Sequence, residues 1–140
     1  MKTVNFKKGF TLLELLVVIA IIGILVAMGT VSYSTAQKRA RDATRKGDMK
    51  AVQNALEQYY AANSSAYPGS CPASGATLII ETGNNFIIPS DPKGAPAYAS
   101  SGCSSSGYCY CATLEGGNGN ATNATCSFGS GNYFCIKNLQ

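Results

Sequence analysis

Cys71, Cys103, Cys109, Cys111, Cys126 and Cys135 are the residues of this 140-residue chain best suited to covalent or metal chemistry. Thiolates could ligate zinc, but there is no His, no C-x-x-C pair and no regular spacing. Disulfides are the better reading, and they place the chain in an oxidising compartment outside the cytoplasm. Cys109 and Cys111 are two apart and share one strand face, so they should bond to different partners. Cys126 and Cys135 flank Phe128-Gly129-Ser130-Gly131-Asn132-Tyr133, a hairpin-like sequence, and a Cys126–Cys135 bridge is expected across it. Cys71–Cys111 and Cys103–Cys109 complete a working assignment that the spacing leaves open. The lack of His removes the usual general base and proton shuttle. The sequence has no nucleotide-binding glycine loop, nucleophile elbow or convergent carboxylate pair. An enzyme is not expected, and neither a cofactor nor a metal is implied.

Glu14 is a candidate of another kind. It is the only charge in residues 10–31, FTLLELLVVIAIIGILVAMGTV. As a helix rising ~1.5 Å per residue, this run reaches ~33 Å, enough for a hydrocarbon core of ~30 Å. A carboxylate inside such a helix costs roughly 2.5–3.5 kcal/mol on insertion scales. It is either a tolerated acid at the membrane edge or a group awaiting a partner charge. Two generic readings of residues 1–31 exist. With Lys2, Lys7 and Lys8 in front and Ala27-Met28-Gly29 behind, the segment could be a signal peptide, although its apolar run is too long. It could also be a plain single-span anchor oriented by the leading lysines.

A third reading fits more residues. Lys8-Gly9-Phe10-Thr11-Leu12-Leu13-Glu14 resembles the processing site of type IV prepilins and pseudopilins. The resemblance implies cleavage between Gly9 and Phe10 by a prepilin peptidase on the cytoplasmic side of the membrane. It implies N-methylation of Phe10 and retention of the apolar helix in the mature protein. It also gives Glu14 a partner, the terminal amine of Phe10 on a neighbouring subunit. Such a buried pair adds little net stability but strongly disfavours any register that leaves one charge alone. The resemblance is strongest over residues 7–62. It departs at Val31, where related pilins often carry Pro. Gly23 and Gly29 are the helix-weakening residues, at ~1 kcal/mol each relative to Ala, so local melting between Gly23 and Val31 is allowed but not dictated.

The helix should continue through residues 32–62. Met49, Val52, Leu56, Tyr59 and Tyr60 recur at helical spacing on one face, and Ala36, Ala40, Ala43 and Gly47 form a second, small-residue stripe. Two stripes suit a helix with two kinds of neighbour, its own head and other subunits. Asn63-Ser64-Ser65 and Tyr67-Pro68-Gly69 should stop it. Residues 38–50, KRARDATRKGDMK, could be a patch for DNA or anionic lipid. The plainer reading is a solvated face laced by Lys38/Asp42, Asp42/Lys46 and Arg45/Asp48 pairs. No aromatic residue interleaves with the charges, and a net charge of +4 is too small to imply nucleic acid.

From Cys71 onward the pattern is strand and loop. Strands are expected at Thr77–Thr82, Ala97–Ser100, Tyr108–Leu114 and Tyr133–Asn138. Large aliphatic residues are sparse here, so disulfides must supplement a thin core. Ile88-Pro89-Ser90-Asp91-Pro92 through Tyr98 resembles the segment leading into the pseudopilin sheet. Major pseudopilins usually bind calcium beyond it, but Glu115 is the only acid after Asp91, too few carboxylates for that ion. Asn63, Asn120 and Asn123 begin Asn-x-Ser/Thr triplets, as an Asn- and Ser-rich chain will by coincidence.

The expected fold is α+β and type IV pilin-like. A long N-terminal α-helix, half transmembrane and half amphipathic, would pack on a small antiparallel β-sheet head stapled by disulfides. Residues 1–9 would be the removed leader, 10–31 the transmembrane and assembly helix, 32–63 its amphipathic continuation and 64–140 the head. The function the resemblance implies is a structural pilus subunit, polymerising through its helix, handled by the prepilin peptidase and pilus assembly machinery, and meeting surfaces or host cells. It would pass from the cytoplasmic (inner) membrane to an extracellular filament. A type II secretion pseudopilin, a competence pseudopilus for DNA uptake and a membrane-anchored disulfide-rich binding module are the alternatives.

Overall fold

The computed structural model describes residues 9–94 and 98–140, and the Val31 side chain is left aside. Helix α1 runs from Leu12 to Ala62. It starts at a capping box. The Glu14 N–H donates to Thr11 Oγ1 at 3.2 Å, and the Thr11 N–H donates back to Glu14 Oε2 at 3.1 Å. It ends where the Asn63 N–H and Nδ2 both bond the Tyr59 carbonyl, and Ser64 and Ser65 turn into the left-handed region. Helical geometry is retained at Gly23 and Gly29.

The chain divides into two units, one reaching to Gln37 and the other spanning Lys38–Gln140. In the first, every described side chain of residues 12–30 is exposed, including Leu13, Leu16, Ile19, Ile22 and Leu25. The second unit is the head. Its strands are β1 (Thr77–Glu81), β2 (Asn84–Ile87), β3 (Ala99–Ser104), β4 (Gly107–Thr113), β5 (Gly119–Ala121), β6 (Phe128–Gly131) and β7 (Tyr133–Lys137). Strands β1 and β2 form a hairpin; the other five form an antiparallel sheet ordered β3-β4-β7-β5-β6.

Alternation along β4 explains the core. Tyr108, Tyr110 and Ala112 join Met49, Val52, Ala55 and Leu56 of α1. Cys109 and Cys111 face the other way, with Ala121 and Cys135. A strand buried on both faces needs a cover on each, and the second cover is the chain from Gly119 to Cys126. Glu57 adds a polar tie, accepting the Tyr67 and Tyr108 hydroxyls and the Leu139 N–H.

Strands β2, β5 and β6 were not expected from the sequence. NNFI, GNA and FGSG are short and rich in Asn and Gly, which strands disfavour, and pairing partners override it. The Thr82-Gly83 link between β1 and β2 was a legible turn signal, and Gly83 has φ +87°. Ala97, the expected start of the strand ending at Ser100, lies outside the described residues; β3 begins at Ala99.

The cysteines pair as Cys71–Cys103, Cys109–Cys126 and Cys111–Cys135. Cys109 and Cys111 do take different partners, but all three expected pairings are corrected. Cys126–Cys135 presumed a hairpin, whereas β6 and β7 lie on opposite sides of β5 and do not pair. Cys135 instead stands directly opposite Cys111 in the β4–β7 ladder. Cys71–Cys111 and Cys103–Cys109 fail because the partners lie on opposite faces of the sheet. An unbroken β3 would put Cys103 on the face of Cys109, opposite Ser101. A register shift between Ser101 and Ser104, with Gly102 at φ +61°, turns Cys103 to the helix side, where Cys71 lies.

Candidate functional site

Gly9 and Phe10 precede the first turn of α1, and both are exposed, Phe10 to 84 %. The Gly9–Phe10 bond is therefore in non-helical chain that a protease can reach. Thr11 fixes where the helix begins: the Leu15 N–H reaches the Thr11 carbonyl at 3.3 Å. The capping box thus separates non-helical chain at Gly9 and Phe10 from the helix that follows.

Glu14 was expected to face an amine. In the single chain its Oε2 accepts the Thr11 N–H and hydroxyl, at 3.1 and 3.0 Å. Phe10 and Glu14 are not joined by any bond recorded among the described residues. Thr11 was not singled out from the sequence, although Thr-x-x-Glu before an apolar run is a capping signature. Behind Glu14 the apolar surface is continuous around the helix. By length and composition this helix could cross a membrane.

Lys38, Arg39 and Lys50 of the charged run are exposed, as a solvated face requires, but Asp42 and Arg45 fold inward. Arg45 is 3 % exposed. Its Nε and second terminal nitrogen grip Asp91 at 2.6 and 3.1 Å, while the other terminal nitrogen meets Asp42 and Glu115 at 2.9 Å each. Arg41 holds both Glu115 oxygens at 2.7 Å, and Lys93 Nζ reaches Glu115 at 3.0 Å. Asp42 accepts the Glu115 and Gly116 N–H groups. The Asp91 carboxyl is held below its ordinary range chiefly by Arg45. Glu115 is held low by Arg41 first, then Lys93 and Arg45. The Lys38/Asp42, Asp42/Lys46 and Arg45/Asp48 pairs are replaced: Asp42 takes Arg45, Asp48 accepts the Tyr98 hydroxyl, and Lys46 Nζ bonds the Asn118 carbonyl. Arg41, Arg45 and Lys46 thus each bond the head's own loops.

Ala36, Ala40, Ala43 and Gly47 are exposed, on the far side of α1 from Met49 and Val52. Asn63 and Asn120 spend their side-chain amides on backbone, Asn63 on Tyr59 and Ile80, Asn120 on both polar groups of Cys135. Asn123 caps the turn to Ser127.

Residues 5–30 match the family model described as a prokaryotic N-terminal methylation motif. The chain is 34 % identical over 101 residues to the type II secretion system core protein G of Pseudomonas aeruginosa, covering 64 % of this chain and 70 % of that protein. The chain belongs to the type IV pilin and pseudopilin family. It is also 31 % identical over 83 residues to a fimbrial protein of Neisseria meningitidis, covering 59 % of this chain and 48 % of that one. With the type IV major pilin protein PilA of Myxococcus xanthus it shares 37 % over 54 residues, 39 % of this chain and 24 % of PilA. The chain thus spans less than half the length of these two pilins. No solved structure matches it. The matched residues 5–30 contain the capping box of Thr11 and Glu14 that opens α1.

Proposed function

We propose that this chain is a structural, non-enzymatic subunit of a type IV pilus. The prepilin peptidase cuts after Gly9, Phe10 is N-methylated, and the subunit waits in the cytoplasmic membrane on its single apolar helix. It then polymerises with copies of itself into a surface filament for adhesion, twitching motility or both. One observation carries the reading: an apolar helix surface, exposed from Leu12 to Met28 and broken only by Glu14, in a chain whose head already buries a core of its own. That surface needs lipid before assembly and other helices after it. The exposed stripe of Ala36, Ala40, Ala43 and Gly47 would let neighbouring helices approach closely, and three disulfides suit a head outside the cell.

A second reading, a pseudopilin of type II secretion, is favoured by the match to the P. aeruginosa core protein, which covers 64 % of this chain. Deleting the gene separates the two. The pilus reading expects loss of sheared surface filaments, adhesion and twitching with protein export intact. The secretion reading expects secreted enzymes to be retained in the cell while surface filaments persist.

A further inference from the structure

The outer face of the β1–β2 hairpin has no cover within its own chain. Leu78 and Ile80 turn into the core, and Phe86 packs against it. Alternation leaves Thr77, Ile79 and Glu81 on the other face. Ile87 stands opposite Thr77 and diagonal to Ile79 on that face. The two isoleucines are 64 and 65 % exposed, beside the Glu81 carboxylate.

Glu81 is also the one acid of the head without a partner among the described residues. Asp42, Asp91 and Glu115 are spent on Arg45 and its neighbours, Asp48 on Tyr98, and Glu57 on Tyr67 and Tyr108. On the basic side, Lys38 and Arg39 are exposed and engage no described group. Every later cation of the head holds a carboxylate, an amide, a carbonyl or an aromatic ring.

These unspent charges sit at opposite ends of the head. Asn63, at the end of α1, donates to the Ile80 carbonyl at 2.9 Å, which puts Glu81 there. Lys38 and Arg39 open the head's stretch of the helix, and Lys38 lies ~36 Å before Ala62 at the standard rise. Two side chains cannot span that distance, so the charges cannot meet within one chain. Complementary surfaces at opposite ends of a subunit make a head-to-tail contact, which grows into a filament when its rotation does not close.

We propose that, in the polymer, the hairpin face of Ile79, Glu81 and Ile87 docks on Lys38 and Arg39 of a second copy of this chain. Glu81 accepts from the Arg39 guanidinium and the Lys38 ammonium, and the isoleucines cover the aliphatic stems of those two side chains. An exposed pair of this kind adds little affinity. Its effect is on register, since any packing that sets like charges together is disfavoured. The inference rests on the homopolymer reading above and holds equally for a pseudopilus.

The test uses filaments sheared from cells that make the full chain. A carbodiimide joins a carboxylate to an amine as an amide, with loss of water. It should link Glu81 to Lys38, seen as a crosslinked peptide pair by mass spectrometry. Glu81→Arg should keep the parent's thermal midpoint in detergent, because Glu81 holds no side chain of its own head. Its filament yield should fall about tenfold or more through like-charge contact. Adding Lys38→Glu and Arg39→Glu to the same chain should restore the yield. Normal yield from Glu81→Arg, no rescue by the reversed pair, or a Glu81 crosslink to a lysine of another protein in place of Lys38 would each overturn the contact and leave the pilus reading standing. Parental cells without any filament of this chain would overturn both.

Discussion

Arg45 shows how one residue organises loops that are far apart in sequence. It leaves α1 with a single-turn partner, Asp42, and reaches Asp91 and Glu115 on two separate connections. Removing a partner from a buried ion cluster strands the others. Arg45→Met should therefore lower head stability by ~3–5 kcal/mol, as read by chemical denaturation of the mature chain. The pH dependence has a definite sign. Asp91 and Glu115 have lower pKa values folded than unfolded, so the unfolded chain takes up protons first as pH falls. Their stabilisation is present above the ordinary carboxylate range of about 4 and is lost as pH drops through the folded values. The thermal midpoint should fall on acidification below that range, and Arg45→Met should flatten the fall. A flat parental profile would show that these carboxylates are not held low. None of this was legible in the sequence. Lys38, Asp42, Lys46 and Asp48 offered plausible neighbours one turn apart, and pairing across dozens of residues leaves no local signal. The N-terminal motif that places the chain in its family was legible because residue type and immediate order carry it: Gly9 before Phe10, Glu14 four positions on, within the matched residues 5–30. Gly9→Val should leave the leader attached, since the peptidase must accept a residue with no side chain before the cut. Intact-mass measurement would reveal it.

At the scale of elements, the sheet depends on a crossing. Strand β5 is inserted between β6 and β7, which are consecutive in sequence, so the chain must pass from one side of β5 to the other at Asn132. Glycines permit it. A Cβ on Gly119 would run into the Tyr133 backbone, and one on Gly131 would run into the Ala121 carbonyl and Thr122. Gly131→Ala should separate β5 from its neighbours and expose the Cys111–Cys135 bridge to reductant. Unchanged protection in a thiol-trapping assay would count against this reading. Removing that bridge as Cys111→Ala/Cys135→Ala should cost ~2–5 kcal/mol, as for disulfides in other small extracellular domains. The same crossing explains why the strands Tyr108–Leu114 and Tyr133–Asn138 were foreseeable but their disulfides were not. Alternation marks a strand, whereas a bridge depends on which strand lies beside it and which face a bulge presents. Gly102 and the β5 insertion decided both.

At the scale of the whole molecule, two units have opposite needs. The head buries its apolar residues around Met49, Val52 and Leu56. The N-terminal unit exposes its apolar residues and carries one carboxylate among them. Glu14 is held by Thr11 in the isolated chain, and in the filament it would exchange or share that bond with the Phe10 amine of a neighbour. Glu14→Ala should leave membrane insertion and cleavage after Gly9 intact. It should sharply reduce filament incorporation, because an incoming amine would then enter an apolar bundle without a counter-charge. Normal filaments built from Glu14→Ala subunits alone would reduce Glu14 to a helix cap.

The most direct measurement is mass spectrometry of filaments sheared from cells that make this chain. The account predicts an abundant subunit beginning at N-methylated Phe10, 131 residues long (140 minus the 9 of the leader), with no free thiol. Absence of the chain from that fraction, together with an N-terminus at Met1 or Thr30 in the cell, would contradict it.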